Sequence, residues 1–225
     1  MKAVAGAIDL YWLPLGAGGH SVRLNGRAYE WLAARRAHRA PVDLYHAALE
    51  VHVDGARHTI EMTPVGKGDG AARGVVGEGP VGSRLLRRLR WFRYELRCWR
   101  DGVIPDVAEA VASPVRITND AAVARRMLGL VPQVPRAVWG RDEFRCGDMW
   151  NSNSVVTWLL ARSGLDVETI HAPHGGRAPG WSAGIAAARD GAAPDAACGY
   201  SSAPGRSPRR QRARAAAAPR RLLGR

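Results

Sequence analysis

No run of apolar residues in this 225-residue chain approaches the roughly 20 that a membrane-spanning helix requires. Cysteine is scarce. Cys98, Cys146 and Cys198 are an odd number at no disulfide or metal spacing, which points to a reducing compartment and a cytoplasmic location. A secretory leader is not evident: "MKAVAGAIDLYWLPLGAGG" holds a lysine and a short apolar run, but Asp9 interrupts it and no small-residue cleavage site follows, so "IDLYWLPL" reads as a first strand. Neither an internal repeat nor a recognised nucleic-acid motif is present. Acidic residues are absent after Ser201, where eight arginines carry eight of the thirteen net positive charges and leave the rest of the chain at only +5.

What remains is an ordinary globular composition, 46% hydrophobic and 24% charged. It predicts one α+β domain over residues 1–190 and an Arg/Ala/Pro-rich tail over 191–225 with too few large apolar side chains to offset its ordering entropy, hence disordered. The tail is a candidate contact for an anionic partner. "LNGRAYEWLAARRAHR" places Leu24, Tyr29, Leu32 and Ala33 near helical spacing, "IPDVAEAVAS" and "NDAAVARRMLGLV" read as helices, and Val155 to Ser163 forms a further helix stopped by Gly164. The glycine-rich stretch from Pro64 to Gly82 reads as a long loop with room for one short strand, and "WFRYELRCW" alternates as a strand. Strands clustered in the middle with helices around them argue for a small antiparallel sheet packed with helices.

"DLYHAALEVHV", Asp54-Gly55 and "ARHTIEMTPV" form a hairpin signal. A two-residue turn pairs Val53 with Ala56 and Ala48 with Glu61, and gathers Leu49, Val51, Ile60 and Met62 on one face. His46 and Glu61 then share the other face as diagonal neighbours, about 7 Å apart between backbones. A carboxylate beside a histidine fixes its tautomer and stabilises the imidazolium, as a general base requires. The plainer alternative is a polar patch on a solvated strand.

A histidine early on one strand, a polar residue on the next, and much later an Asn-Cys-x-[His, Ser or Thr] tetrad opening an apolar helix is the order found in circularly permuted papain-like proteins. These comprise the permuted NlpC-like hydrolases, the lecithin:retinol acyltransferase-like enzymes and the deSUMOylating isopeptidases. "YHAALEVHVDGARH" resembles their histidine strand, and "WNSNSVVTWLL" resembles their helix start; together these cover about a seventh of the chain. The resemblance implies a permuted papain-like α+β fold and a hydrolase or acyltransferase acting on an amide, thioester or ester. Ser152 stands at the nucleophile position, His46 at the base and Glu61 at the orienting acid, with the Ser152 and Asn153 backbone N–H groups and Asn151 as the oxyanion site. A small-molecule, peptide or acyl substrate is implied, and no cofactor or metal. The departure is Ser152 in the cysteine position: a hydroxyl needs its base during attack, whereas a thiol there ionises beforehand. Two alternatives therefore stand beside the enzyme: a non-catalytic binding protein that keeps the cleft, and a basic protein that binds nucleic acid or a lipid surface.

His58, on the second hairpin strand, and Cys146, six residues before Ser152, are the substitute site residues. Asn151 or Ser154 also reads as a plain helix cap, worth about 1 kcal/mol. His171 and His174 lie in "HAPHGGRAPGW" with no partner acid or cysteine nearby, so that loop reads as a cover over the site or a sheet edge rather than a metal site. "SRLLRRLRWFRYELRCWR" could track phosphates or an anionic lipid surface, but the simpler reading is a strand whose arginine stems cover Trp91 and Trp99. Finally, "GDMWNSNS" and "GGRAPGW" are similar to segments of uncharacterised actinobacterial proteins, a likeness that implies no activity.

Overall fold

In the computed structural model, which describes residues 6–15, 30–66 and 73–191, Asp54 and Gly55 both take positive φ (50° and 74°). Such a turn matches the twist of an antiparallel pair. The strands it joins, β2 (Tyr45–Val53) and β3 (Ala56–Pro64), pair with Val53 opposite Ala56 and Leu49 opposite Ile60. Four more strands, β1 (Gly6–Pro14), β4 (Val75–Pro80), β5 (Arg93–Arg100) and β6 (Val115–Thr118), complete a six-stranded antiparallel sheet in the order β4-β5-β3-β2-β1-β6. The fold is α+β, as the sequence predicts.

One face of the sheet is apolar. Ile8, Leu10 and Trp12 of β1, Leu49 and Val51 of β2, and Ile60 and Met62 of β3 form one buried cluster with Met127, Val155 and Leu159. Those last three come from α2 (Ala121–Leu130) and α3 (Ser152–Arg162), and α4 (Trp181–Asp190) adds Ala187. Each large side chain buried here contributes about 1.5–3 kcal/mol, so this face supplies most of the driving force. α1, described over residues 30–36, lies near the start of β2, where the buried Glu30 accepts from the Val42 N–H and pairs with Arg39 and Arg177.

The second face is polar and is covered in part by the chain that follows β5. The Thr59 hydroxyl donates to the Gly102 carbonyl at 2.9 Å, Ile104 packs on Leu13 and Ala48, and the Val111 N–H donates to the Trp12 carbonyl at 2.9 Å. This covering segment contains "IPDVAEAVAS", which is not a helix but one 3-10 turn, Val107–Glu109. Asp106 and Ala112 take positive φ (57° and 46°), which interrupts any regular helix there. The strand expected from Trp91 begins at Arg93, since Arg90–Phe92 is also a 3-10 turn.

Sequence reasoning passed over β6 and α4 and began α3 three residues late. Trp181, Ile185 and Ala188 do recur at helical spacing between Gly180 and Gly191, but alanine and glycine hide the stripe. α4 lies against α3 through Gly184, where an added Cβ would stand 2.4 Å from the Ser154 carbonyl oxygen and 2.8 Å from Thr157 Cβ. The tail beyond 191, residues 24–29 of the first expected helix and Cys198 lie outside the described residues. No described helix is long and apolar enough to cross a membrane.

The close approach yields a paired prediction. Gly184→Ala lowers stability by about 1–3 kcal/mol through overpacking. Gly129→Ala on α2, where an added Cβ meets nothing within 4 Å, raises it by about 0.5–1 kcal/mol through helix propensity and unfolded-state entropy. Urea unfolding of the two variants checks both signs; a neutral Gly184→Ala contradicts the contact between α3 and α4.

Candidate functional site

The four polar residues before "VVTWLL" form the first turn of α3 and its cap. Asn151 is the N-cap: its side-chain oxygen accepts from the Asn153 and Ser154 N–H groups at 2.9 and 3.4 Å, and Ser154 Oγ accepts from the Asn151 N–H at 3.0 Å. This is a reciprocal capping box. The remaining capacity ties α3 to its neighbours. Asn153 Nδ2 donates to the carbonyls of Tyr45 and Pro179 at 3.0 and 2.8 Å, Asn151 Nδ2 to Pro179 at 2.7 Å, and Ser154 Oγ to Gly180 at 2.8 Å. From the preceding loop, the Asp148 carboxylate accepts from the Gly180 and Ser182 N–H groups at 2.8 and 3.2 Å and so caps α4 as well. "GDMWNSNS" and "APGW" thus meet as one joint between β2, α3 and α4.

That joint uses two of the three groups assigned to an oxyanion site. The Asn153 N–H, expected as a donor to substrate, is engaged by Asn151, and the Asn151 amide is consumed by the cap and by Pro179. The Ser152 side chain is buried and makes no hydrogen bond among the described residues. No base is hydrogen-bonded to it among the described residues. α3 packs on the sheet face that carries Tyr45, Ala47 and Leu49, whereas the alternation of β2 turns His46 to the opposite face. The sheet therefore stands between His46 and Ser152, and the triad suggested by the resemblance is not brought together. The physical reason is the period of two: Asn153 binds the backbone of Tyr45, whose neighbour His46 points away.

His46 and Glu61 do share one face, as the register predicts. Burial pulls the His46 pKa down to about 4, against a smaller opposing pull from Asp106. Burial pushes the Glu61 carboxyl up to about 7; Arg97 opposes this, and Asp106 and Glu95 add to it. Glu61 Oε2 is buried with no partner. Further along this face His52 lies 3.3 Å from the Asp9 carboxylate and 3.8 Å from that of Glu50. Glu50 also accepts from the Tyr11 hydroxyl at 3.0 Å, and burial together with this bond pushes Tyr11 up to about 12. The acids of the polar face, Asp9, Glu50 and Glu61, are thus buried rather than set on a solvated strand.

The substitutes fare as follows. His58 opposes Val51 and belongs to the helix-covered side, away from His46. Cys146 is exposed, and its thiol is pushed up, by burial first and then by the Asp142 and Asp148 carboxylates, against backbone hydrogen bonds, which disfavours a thiolate nucleophile. The His171–Arg177 loop lies along the start of β2: the Tyr45 N–H donates to the Arg177 carbonyl at 2.8 Å, and the Arg177 N–H to the Asp43 carbonyl at 2.9 Å. It flanks a cavity of about 800 Å³ lined by Trp31, Tyr45, Val111, Glu30, Asp43 and His174 among others. Sequence reasoning missed this hollow because its walls come from five separate segments. Trp31, exposed at 55% on α1, was not singled out by its sequence pattern.

Comparison with protein-family models, curated proteins and solved structures finds no match to this chain. The likeness to permuted papain-like proteins accordingly rests on the motif residues and their order.

Glu61 supplies a direct check on the polar face. Its raised pKa means that stability is fully present below pH 4.5 and is lost as pH rises to about 7. The loss amounts to at most about 3 kcal/mol. In Glu61→Gln this contribution disappears, so the stability of the variant relative to wild type increases across that interval. Urea unfolding at both ends of the interval measures it; a difference independent of pH contradicts the buried, unpartnered carboxyl.

Proposed function

We propose that the protein is a ligand-binding relative of the permuted papain-like proteins, in which the helix start that carries their nucleophile serves as a structural clamp. The observation that carries this reading is the sheet between His46 and Ser152, together with the use of Asn151 and Asn153 as cap and clamp. A serine hydroxyl without a base remains protonated at neutral pH and does not attack an acyl group. The binding site on this reading is the cavity beside Trp31 and Tyr45. Its volume lies within the range of small-molecule sites, and its walls combine aromatic and aliphatic surface with a few polar groups. Of these, Glu30 is already bound to Arg39 and Arg177, which leaves Asp43 and His174 to orient a ligand. The class that fits is a small molecule with an apolar body and a hydrogen-bonding or basic end.

A second reading is favoured by Glu61 and His46. A carboxyl poised near neutrality on the same sheet face as a neutral imidazole offers an acid and a base, and if a substrate or water bridged them they would support hydrolysis with no role for Ser152.

On the first reading a fluorophosphonate probe leaves the wild-type protein unlabelled, and Ser152→Ala changes nothing. Nile red, a neutral apolar dye, binds the wild type, and its affinity falls about fivefold or more in Trp31→Ala. Labelling that Ser152→Ala abolishes would establish a working nucleophile and overturn the binding reading. Dye binding indifferent to Trp31 would remove the cavity as its site.

A further inference from the structure

The connection from β4 to β5 is built unlike the rest of the surface. It forms two 3-10 turns, Leu85–Arg88 and Arg90–Phe92, neither of which buries a residue. Leu85 and Trp91 are each 89% exposed and Leu89 is 53% exposed. The arginine stems that could have covered Trp91 do not do so. Large apolar side chains left in water together on one short segment are a feature of surfaces that meet a partner or a membrane.

The surrounding charge is predominantly positive. Arg84, Arg87, Arg88, Arg93 and Arg136 surround a hollow of about 440 Å³ with Glu78 as its one acid. Arg93 pairs with Glu78 at 2.9 Å and Arg84 with Glu143 at 2.7 Å. Arg87 and Arg88 are exposed and make no ion pair among the described residues. A second copy of this surface would bring the two arginine clusters against each other, so self-association is disfavoured. Nucleic acid satisfies the arginines and could stack on Trp91, but it gives Leu85 and Leu89 nothing to bury against. An anionic bilayer surface satisfies all of them: phosphates for guanidinium groups, the headgroup boundary for an indole, and acyl chains for leucine.

We propose that residues 83–93 seat the protein on an anionic phospholipid surface, with Leu85, Leu89 and Trp91 entering the headgroup boundary and Arg87 and Arg88 on lipid phosphates. The basic tail is a second source of attraction, so the test keeps every charge. Full-length wild type and the double variant Leu85→Ser, Trp91→Ser are sedimented with vesicles of phosphatidylglycerol and phosphatidylcholine, and with phosphatidylcholine alone. Both replaced side chains lie on the outside, and unchanged thermal unfolding confirms that the variant is folded.

The wild type is expected to partition to the anionic vesicles and to retain part of that binding in high salt, where purely electrostatic attraction is screened. The double variant is expected to lose about tenfold in partitioning. Equal binding by both proteins, or binding abolished entirely by salt, would assign the attraction to charge alone and overturn the insertion. A variant that instead loses affinity for a single-stranded oligonucleotide while keeping its vesicle binding would show that the surface serves nucleic acid.

Discussion

The two-residue turn at Asp54–Gly55 decides which side of the sheet each hairpin side chain occupies, and the chemistry follows from that choice. With both residues in positive φ, Leu49 meets Ile60, the apolar members of β2 and β3 face the helices, and His46 and Glu61 face away. A shift of one residue would put the histidine beneath α3 and bury the valines against polar neighbours. The apolar face is what the fold buries, so the histidine's position is a consequence of the core rather than of a site.

The start of α3 shows the same priority of structure over chemistry. Asn151, Asn153 and Ser154 together hold two helix N-termini and the backbone of β2, with Asp148 closing the joint from the preceding loop. Buried polar groups are tolerated when they are paired, and here most are paired to backbone. Asn153 Oδ1 is an exception, buried without a partner in the joint. Ser152 is the one residue of the tetrad whose side chain takes no part, which is why the motif alone left the nucleophile reading open.

The hairpin, its register and the alternation along it were legible because period two and Asp-Gly are strong local signals. Helix α2 was legible through its apolar spacing and a cap at Asn119 or Asp120, of which Asp120 is the one used. The helix expected over "IPDVAEAVAS" failed because positive φ at Asp106 and Ala112 follows from how the segment covers the sheet, which no local pattern encodes. Helix α4 was hidden by its small residues, which serve close packing against α3. As for the site, the register that puts His46 and Glu61 on one face was legible, but their separation from Ser152 depends on which face α3 covers. That is tertiary information. The cavity beside Trp31 was invisible for a similar reason, since its walls are contributed by segments remote in sequence.

The separation of His46 from the α3 start is the central claim, and a thiol placed at position 152 reports on it. Alkylation of Ser152→Cys by iodoacetamide, followed against pH with and without His46→Gln, measures whether an imidazole perturbs that thiol. The account predicts superimposable pH profiles, set by the helix N-terminus alone. A profile shifted to lower pH only when His46 is present would put the histidine beside the nucleophile position and contradict it.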